Sequence, residues 1–121
     1  MRLDKLTLDG WRNYQRQTLD FDQRCNVIYG ENAQGKTNLL EAAVYLSCGK
    51  SPRAHGDREL IGFERQDASL TGQIFSRDRA FTTEIQLFRG KRRRMTVNGV
   101  PAKTGAALSD VLHTVFFCPE D

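Results

Sequence analysis

The eight-residue stretch GENAQGKT, residues 30–37, follows the pattern G-x-x-x-x-G-K-[ST]. A glycine-rich loop of this kind can turn its backbone N–H groups, from Glu31 to Thr37, towards phosphate oxygens, because glycines let the main chain approach without an intervening Cβ. Lys36 would then reach the β- and γ-phosphates, and the Thr37 hydroxyl would be a ligand for Mg²⁺. The stretch therefore predicts a site for a nucleoside triphosphate and its metal ion.

Such a loop needs a buried strand before it and a helix after it, and the flanking sequence predicts both. CNVIYG, residues 25–30, is a compact apolar run that ends on the first glycine of the loop. The next segment, KTNLLEAAVYLSCG, has helical spacing, with Gly49 placed as the C-cap. We expect this helix to begin near Gly35 and its positive end to favour phosphate. The apolar residues expected on its buried face are Leu39, Leu40, Ala43, Val44 and Leu46.

The rest of the chain predicts mainly strands. Apolar residues alternate in KLTL and again in QTLDF, which indicates a hairpin with the polar WRNY turn, residues 11–14, between its strands. From Ala68 to Val100, period-two alternation predicts three antiparallel strands, with glycine turns at FRGKR and VNGV. GAALSDVLHTVFF, residues 105–117, predicts a helix running into a last strand. We expect an α/β fold with a mixed sheet, in which the hairpin and the CNVIY strand surround the loop helix and an antiparallel meander lies beside it.

The composition is that of a globular domain, with 39% hydrophobic and 27% charged residues. No stretch approaches the roughly 20 apolar residues that a membrane helix needs, and the N-terminus lacks the apolar core of a secretory signal. We therefore expect a cytoplasmic protein with no membrane partner. The three cysteines are widely spaced and include no C-x-x-C pair, so they predict neither a disulfide framework nor a zinc site.

Two segments could contact nucleic acid. The basic run of Lys91, Arg92, Arg93 and Arg94 is predicted at a hairpin tip, where it could bind DNA phosphates. The same charges could instead keep an exposed hairpin soluble and discourage edge pairing. Arg53, in the loop after the helix, could reach a γ-phosphate or DNA, or could simply be solvated. The residues alone leave these alternatives open.

Taken in order, LTLDGWRNYQ, GENAQGKTNLLEAAVYL, GKSPR and VFFCPED resemble the N-terminal part of the RecF family of bacterial recombination and repair ATPases. The heads of these proteins are related to SMC and ABC-type ATPases. The resemblance runs through residues 1–121, although the meander matches only in outline. It implies ATP and Mg²⁺ as ligands, association with DNA, an ATP-dependent homodimer when full length, and RecO- and RecR-like partners at gapped DNA or stalled replication sites.

The resemblance also assigns roles by position. It implies that Arg12 and Asn13 of the WRNY turn lie beside the nucleotide, and that Arg53 lies near phosphate or DNA. The residues expected to bind the cofactor are Gly30, Glu31, Asn32, Ala33, Gln34, Gly35, Lys36 and Thr37, together with Arg12 and Asn13, and Thr37 is the expected metal ligand.

Two motifs of a complete head of this kind are missing from the sequence. It contains no second apolar strand that ends in an acidic pair, and no Ser- and Gly-rich signature segment. HTVFFCPED comes nearest to the acidic strand, but Pro119 interrupts it. Residues 1–121 are therefore expected to form a first ATPase lobe that binds nucleotide weakly and hydrolyses it negligibly, whereas the full-length protein is expected to be a slow, DNA-stimulated ATPase.

Two other functions remain open on the residues alone. One is a self-contained P-loop kinase of a small molecule, and the other is a nonenzymatic nucleic-acid binder whose loop merely holds phosphate. The predicted meander argues against the kinase, which normally alternates strands with helices. Mg²⁺-dependent ATP binding would distinguish the RecF-like ATPase and the kinase from the nonenzymatic nucleic-acid binder.

Overall fold

The computed structural model describes residues 2–20, 33–51, 54, 56–76 and 78–103, with the side chains at positions 2, 33–37, 57 and 76 outside that description. Within these ranges the chain forms one α-helix, one 3₁₀ helix and six strands. In chain order they are β1 (Arg2–Asp9), β2 (Arg16–Asp20), α1 (Ala33–Cys48), the 3₁₀ helix (Asp57–Leu60), β3 (Asp67–Ser76), β4 (Arg79–Phe88), β5 (Lys91–Val97) and β6 (Val100–Pro101). The predicted CNVIY strand, and the helix and strand predicted over residues 105–117, lie outside the described residues.

All the described strands lie in one sheet, in the order β2-β1-β3-β4-β5-β6. Each neighbouring pair is antiparallel. The predicted hairpin and meander are both confirmed, and they share one sheet because β1 pairs with β3. The described strands are antiparallel throughout, and the CNVIY strand of the expected mixed sheet lies outside the described residues. The chain thus leaves the described sheet at the end of β2 and re-enters it at β3, on the other side of β1.

The turn chemistry read from the sequence is also confirmed. Asn98 and Gly99 both have positive φ, 51° and 81°, which is the geometry that favours an Asn-Gly pair between two strands. The Asn98 side chain accepts a hydrogen bond of 2.7 Å from the backbone N–H of Thr82. The β5–β6 hairpin is thereby attached to the neighbouring strand β4.

Helix α1 packs on one face of the sheet and forms the core with it. The buried side chains on the sheet side are Leu6, Leu8, Ala68, Leu70, Ile74, Ile85, Leu87 and Met95. Gly72 of β3 lies under the helix, where an added Cβ would overlap the Leu46 side chain. Burying one leucine or isoleucine side chain contributes about 1.5–3 kcal/mol. This close packing, more than local helix propensity, holds α1 against the sheet.

The buried face of α1 differs from the expected one. Leu39, Tyr45 and Leu46 are buried as the apolar spacing requires, but Leu40 is 37% exposed. At about 100° per residue the face that meets the sheet contains positions 38–39, 41–42 and 45–46, and residue 40 points away from it. The expectation that Leu40 is buried was wrong, while Ala43 and Val44 are half-buried at the edges of the face.

The ends of α1 bear on the phosphate-binding prediction. The helix begins at Ala33, two residues before the expected start near Gly35. It ends as predicted, since Gly49 has a φ of 74° and its N–H donates to the Tyr45 carbonyl oxygen at 2.7 Å.

In the part of the chain that the structure describes, no helix is long and apolar enough to cross a membrane.

Candidate nucleotide site

The WRNY turn is attached to α1 immediately after the glycine-rich stretch. Trp11 is fully buried, and its indole Nε1–H donates to the Asn38 carbonyl oxygen at 3.1 Å. The Asn38 side-chain amide in turn donates to Asn13 Oδ1 at 2.8 Å. The Trp11 ring also meets Tyr45 edge to face, with 5.4 Å between the ring centroids. The turn therefore lies beside the N-terminal half of α1.

A buried ion pair makes the second attachment. Arg12 donates from Nε to Glu41 Oε1 at 2.5 Å and from Nη2 to Oε2 at 2.9 Å. The Glu41 side chain is 0% exposed and that of Arg12 is 21% exposed. A carboxylate removed from water needs both a partner charge and hydrogen bonds, and this two-pronged geometry supplies them. Arg12 adopts a φ of 47° to reach it, a backbone conformation unusual for a residue other than glycine.

Glu41 also holds the loop that follows α1. The Ser51 hydroxyl donates to Glu41 Oε2 at 2.5 Å, and Ser51 Oγ accepts from the Ala54 N–H at 3.0 Å. One buried carboxylate thus connects the WRNY turn, the helix and the segment that leads to Arg53. Arg53 itself lies outside the described residues.

The other side of the WRNY turn meets the segment after the 3₁₀ helix. The backbone N–H of Arg12 donates to the Leu60 carbonyl oxygen at 2.8 Å, and that of Gly62 donates to the Gly10 carbonyl oxygen at 2.7 Å. A Cβ added at Gly62 would lie 2.8 Å from the Arg12 carbonyl oxygen, so only glycine fits there without a shift. The turn is consequently fixed from two sides, by α1 and by residues 60–62.

A cavity of about 320 Å³ opens beside the turn. Its lining includes Arg12, Asn13, Tyr14, Gly62, Phe63 and Arg65. Burial raises the pKa of the Tyr14 phenol above its ordinary value of 10.0. Arg65 is held by Asp9 at 3.1 Å and by Asp67 at 3.5 Å. The cavity therefore combines aromatic surface with hydrogen-bonding groups in fixed positions.

The glycine-rich stretch itself is described only in part. Gly30, Glu31 and Asn32 lie outside the described residues, and Ala33–Thr37 are described as helical backbone at the start of α1. The first backbone N–H groups of any helix have no acceptor within it, and they carry roughly half a positive charge. Anion binding by this end of α1, and the roles of Lys36 and Thr37, stay predictions. Among the described residues, no group of three or more His, Cys, Asp or Glu side chains could hold a metal ion.

The basic run lies elsewhere than at the hairpin tip. Lys91–Arg94 form the first half of β5, and the tip is Arg89–Gly90, where Gly90 has a φ of 87°. The expectation of a tip position was wrong because the strand begins at once after Gly90. Arg92 and Arg94 are exposed, while Arg93 turns towards α1.

Arg93 is thus separated from its neighbours in the basic run. Its guanidinium donates to the Tyr45 hydroxyl oxygen at 2.8 Å and to the carbonyl oxygen of Gly49 at the C-terminal end of α1. A cation is favourable at that end of a helix, where the carbonyl groups carry partial negative charge. Lys91 lies over the Phe88 ring, 4.4 Å from its centroid. The run is therefore divided between a structural arginine and solvent-facing charges.

Sequence reasoning missed the polar partners on the helix. Asn38 and Glu41 lie three residues apart on the same face as the apolar residues of α1, and both are buried. Polar residues at core spacing are a usable signal, because a buried polar group needs a partner from elsewhere in the chain. The signal indicates that partners are needed, and the structure shows that these partners are Arg12 and Asn13.

Comparison with known proteins finds that residues 5–111 match the AAA domain family. The DNA replication and repair protein RecF of Enterococcus faecalis is 40% identical over 121 residues, which are 100% of this chain and 32% of the relative. A solved structure of the recombination mediator protein RecF with ATP has a TM-score of 0.88 and 33% identity, covering 98% of this chain and 33% of that one. An SMC ATPase structure has a TM-score of 0.76 at 22% identity, covering 90% of this chain and 76% of that one, and so shares the fold. The chain spans about a third of the length of the curated relatives it matches.

Proposed function

Because the chain belongs to the AAA domain family, we propose that it is the nucleotide-binding lobe of a RecF-like ATPase and that it binds ATP with Mg²⁺. The glycine-rich stretch Gly30–Thr37 and the first turn of α1 hold the phosphates. The available donors suit this ligand, since helix N–H groups and Lys36 attract phosphate and the Thr37 hydroxyl is an oxygen ligand for Mg²⁺.

The observation that carries this proposal is the attachment of the WRNY turn to Asn38 and Glu41. A helix rises about 1.5 Å per residue, so Asn38 lies roughly 7.5 Å along α1 from its first residue, Ala33. Asn13 is therefore held about a turn and a half from the helix end that attracts phosphate, and Arg12, which is bonded to Glu41, about two turns from it. This proximity supports their proposed place beside the nucleotide.

Arg12 retains capacity for a ligand while it is paired. A guanidinium has five N–H donors in a fixed fork, and the bonds to Glu41 use two of them. Because the pair is rigid, the remaining donors are presented in one orientation, which lowers the entropy lost when a ligand binds. We propose that Arg12 contributes to nucleotide binding in this way.

We propose that ATP hydrolysis requires two motifs, an acidic strand and a signature segment, that these 121 residues do not contain. Phosphoryl transfer depends on positioning and electrostatic stabilisation, so an incomplete set of groups does not give a proportionate fraction of the rate. Neither an acidic strand that positions water nor a signature segment is found in these 121 residues. We propose that the chain binds ATP without turning it over.

The relatives of this chain are named as DNA replication and repair proteins. For the whole protein we therefore propose recombinational repair of gapped DNA and stalled replication, by an ATP-dependent homodimer that works with RecO- and RecR-like proteins. The proposed DNA contacts are Arg53 and the solvent-facing members of the basic run, Lys91, Arg92 and Arg94. The exposure of Lys91, Arg92 and Arg94 on β5 supports phosphate contact by these three residues, which needs charge but no base-specific geometry.

The test is a titration of the chain with a fluorescent ATP analogue, with and without Mg²⁺, with phosphate release measured in the same samples. We expect saturable binding without phosphate release. Lys36→Ala should weaken binding about 10- to 150-fold, since one charged hydrogen bond contributes roughly 1.5–3 kcal/mol. Thr37→Ala should remove the difference that Mg²⁺ makes. Lys50→Ala, which removes an exposed lysine just past the end of α1, is the matched control and should bind as the unaltered chain does.

The same experiment distinguishes the alternatives, because each predicts a different result. Phosphate release above the Lys36→Ala background would contradict the proposed lack of turnover, and transfer to a small acceptor would identify a kinase. Equal binding by the Lys36→Ala and Lys50→Ala variants would show that the glycine-rich stretch is not the phosphate site.

A further inference from the structure

We propose that Arg89 is a positioning residue for the nucleotide site, on which it acts through the main chain of residues 61–65. Arg89 follows the last residue of β4, and its guanidinium holds the segment to which the WRNY turn is bonded. This inference rests on the proposed function, because it concerns the ATP affinity of a site that includes Arg12.

Arg89 turns its side chain away from the basic run that follows it. Its Nε donates to the Arg65 carbonyl oxygen at 2.7 Å, and its Nη2 lies 3.3 Å from the carbonyl oxygens of both Ile61 and Gly62. Its backbone N–H donates to the Gln66 carbonyl oxygen at 3.1 Å. A single residue therefore holds much of the main chain between positions 61 and 66.

The charge of Arg89 is met by main-chain groups. In the described part of the chain, no carboxylate forms an ion pair with its guanidinium. The planar fork of five N–H donors reaches several acceptors at once in a fixed geometry. A lysine ammonium is a compact charge on a flexible stem and does not reproduce that fork. The contact therefore fixes the orientation of the segment rather than neutralising a negative side chain.

The Ile61–Gly62 peptide group connects Arg89 directly to the WRNY turn. Its carbonyl oxygen accepts from Arg89, and its N–H donates to the Gly10 carbonyl oxygen at 2.7 Å. The C=O and N–H of a trans peptide group point in opposite directions, so a tilt of this group on the Arg89 side also moves its bond to Gly10. The Arg12 N–H makes a further bond to the same segment, at the Leu60 carbonyl oxygen.

Arg12 needs this support because of its backbone conformation. Its φ of 47° is unusual for a residue other than glycine, and such a conformation persists only where the surrounding structure holds it. Glu41 holds the side chain of Arg12 from the helix, and residues 60–62 hold its main chain from the other side. Without Arg89 the segment gains freedom, and the donors of Arg12 lose the single orientation that favours binding.

The experiment is a calorimetric titration of the chain with ATP in Mg²⁺. Arg89→Ala should weaken ATP binding about 2- to 30-fold, the size expected when a residue acts on a site through others. Arg89→Lys should weaken it to a similar extent, because the charge is kept but the fork is lost. Arg79→Ala is the matched control on β4, since the Arg79 guanidinium lies over the Phe81 ring, 5.3 Å from its centroid, and its removal should leave ATP binding unchanged.

A double-mutant cycle shows whether Arg89 acts through Arg12. Arg12→Lys keeps a positive charge beside Glu41 but loses the two-pronged bond, and so removes the orientation that Arg89 maintains. In that background Arg89→Ala should change ATP affinity by less than about 2-fold. Effects of the two substitutions that simply multiply would show that Arg89 acts independently of Arg12, and would overturn the inference.

Amide hydrogen exchange without nucleotide supplies a readout that general destabilisation would not give. In Arg89→Lys, exchange should accelerate at the N–H groups of Arg12 and Gly62, which bond across the segment and the turn. It should stay unchanged at the N–H of Leu70, within β3. Equal acceleration at all three groups would make Arg89 a residue that stabilises the whole fold, and would overturn its positioning role.

The titration also separates this inference from the proposed function. ATP binding that is lost in Lys36→Ala but unchanged in Arg89→Ala would overturn the role of Arg89 and leave the phosphate site intact. ATP binding that is fully retained in Arg89→Lys would do the same, since a charge alone would then suffice. An unaltered chain that did not bind ATP would overturn both proposals.

Discussion

Arg12 and Glu41 form an ion pair in which both carboxylate oxygens accept from one guanidinium, and this pair joins the WRNY turn to the middle of α1. Arg12→Ala would leave the Glu41 carboxylate, 0% exposed, without its counter-charge. We expect the free energy of unfolding to fall by about 3–5 kcal/mol, as measured by urea denaturation.

The chain offers a matched control for that substitution. Arg16 pairs with Asp9 at 3.4 Å, and the two side chains are 73% and 31% exposed. Arg16→Ala should cost less than about 1 kcal/mol, because water screens an exposed pair. If Arg12→Ala and Arg16→Ala cost the same, the buried pair does not hold the turn as described.

The basic run should separate into two roles when its arginines are changed one at a time. Arg93→Ala removes the bonds to the Tyr45 hydroxyl and the Gly49 carbonyl oxygen. It should lower the free energy of unfolding by about 1.5–3 kcal/mol, the contribution of hydrogen bonds made by a charged group. Arg92→Ala, at an exposed position next to it, should stay within about 0.5 kcal/mol of the unaltered chain.

In DNA binding by the full-length protein, we expect Arg92→Ala to have the larger effect and Arg93→Ala the smaller one. Arg92→Ala should weaken binding at low salt and reduce the slope of log affinity against log salt by about 1, as expected for one phosphate contact. Arg93→Ala should leave that slope unchanged. A slope that changed with Arg93 and not with Arg92 would show that the two roles have been assigned the wrong way round.

Gly72 is expected to set how closely α1 approaches the sheet. In Gly72→Ala the added methyl group would overlap the side chain of Leu46, which is fully buried and has little room to move. We expect a loss of about 1–3 kcal/mol in the free energy of unfolding. Gly56→Ala is the control, since a Cβ there meets nothing within 4 Å, and it should have little effect.

A second substitution tests the cause of that loss. Leu46→Ala should be markedly less destabilising in the Gly72→Ala background than alone, because it removes the atoms that the new methyl group overlaps. Strictly additive costs would mean that Gly72 matters for some reason other than this contact.

The elements that could be predicted from the sequence are those fixed by local chemistry. Alternating apolar residues placed β3, β4 and β5, because side chains in a strand alternate between a buried and an exposed face. Asn98-Gly99 and Gly49 are backbone positions whose positive φ values suit these residue types. Such signals lie within a few neighbouring residues and need no knowledge of the rest of the fold.

The features that escaped prediction depend on distant partners. Glu41 stands at core spacing on α1, but its partner Arg12 is 29 positions away in the sequence, so no local pattern identifies that partner. The burial of Leu40 was misjudged because apolar periodicity gives a broad face but not the side of it that meets the sheet. The strand order likewise depends on the pairing of β1 with β3, which no turn between them specifies.

The position of β1 between β2 and β3 also has a consequence for the order of folding. The β3, β4 and β5 hairpins close over short stretches of chain, whereas residues 10–66 separate β1 from β3. Closing so long a loop costs more chain entropy and is slower, so we expect the meander to fold first and β1 to join it late. Pulse-labelled hydrogen exchange should protect β4 amides before those of β1, and simultaneous protection would argue against this order.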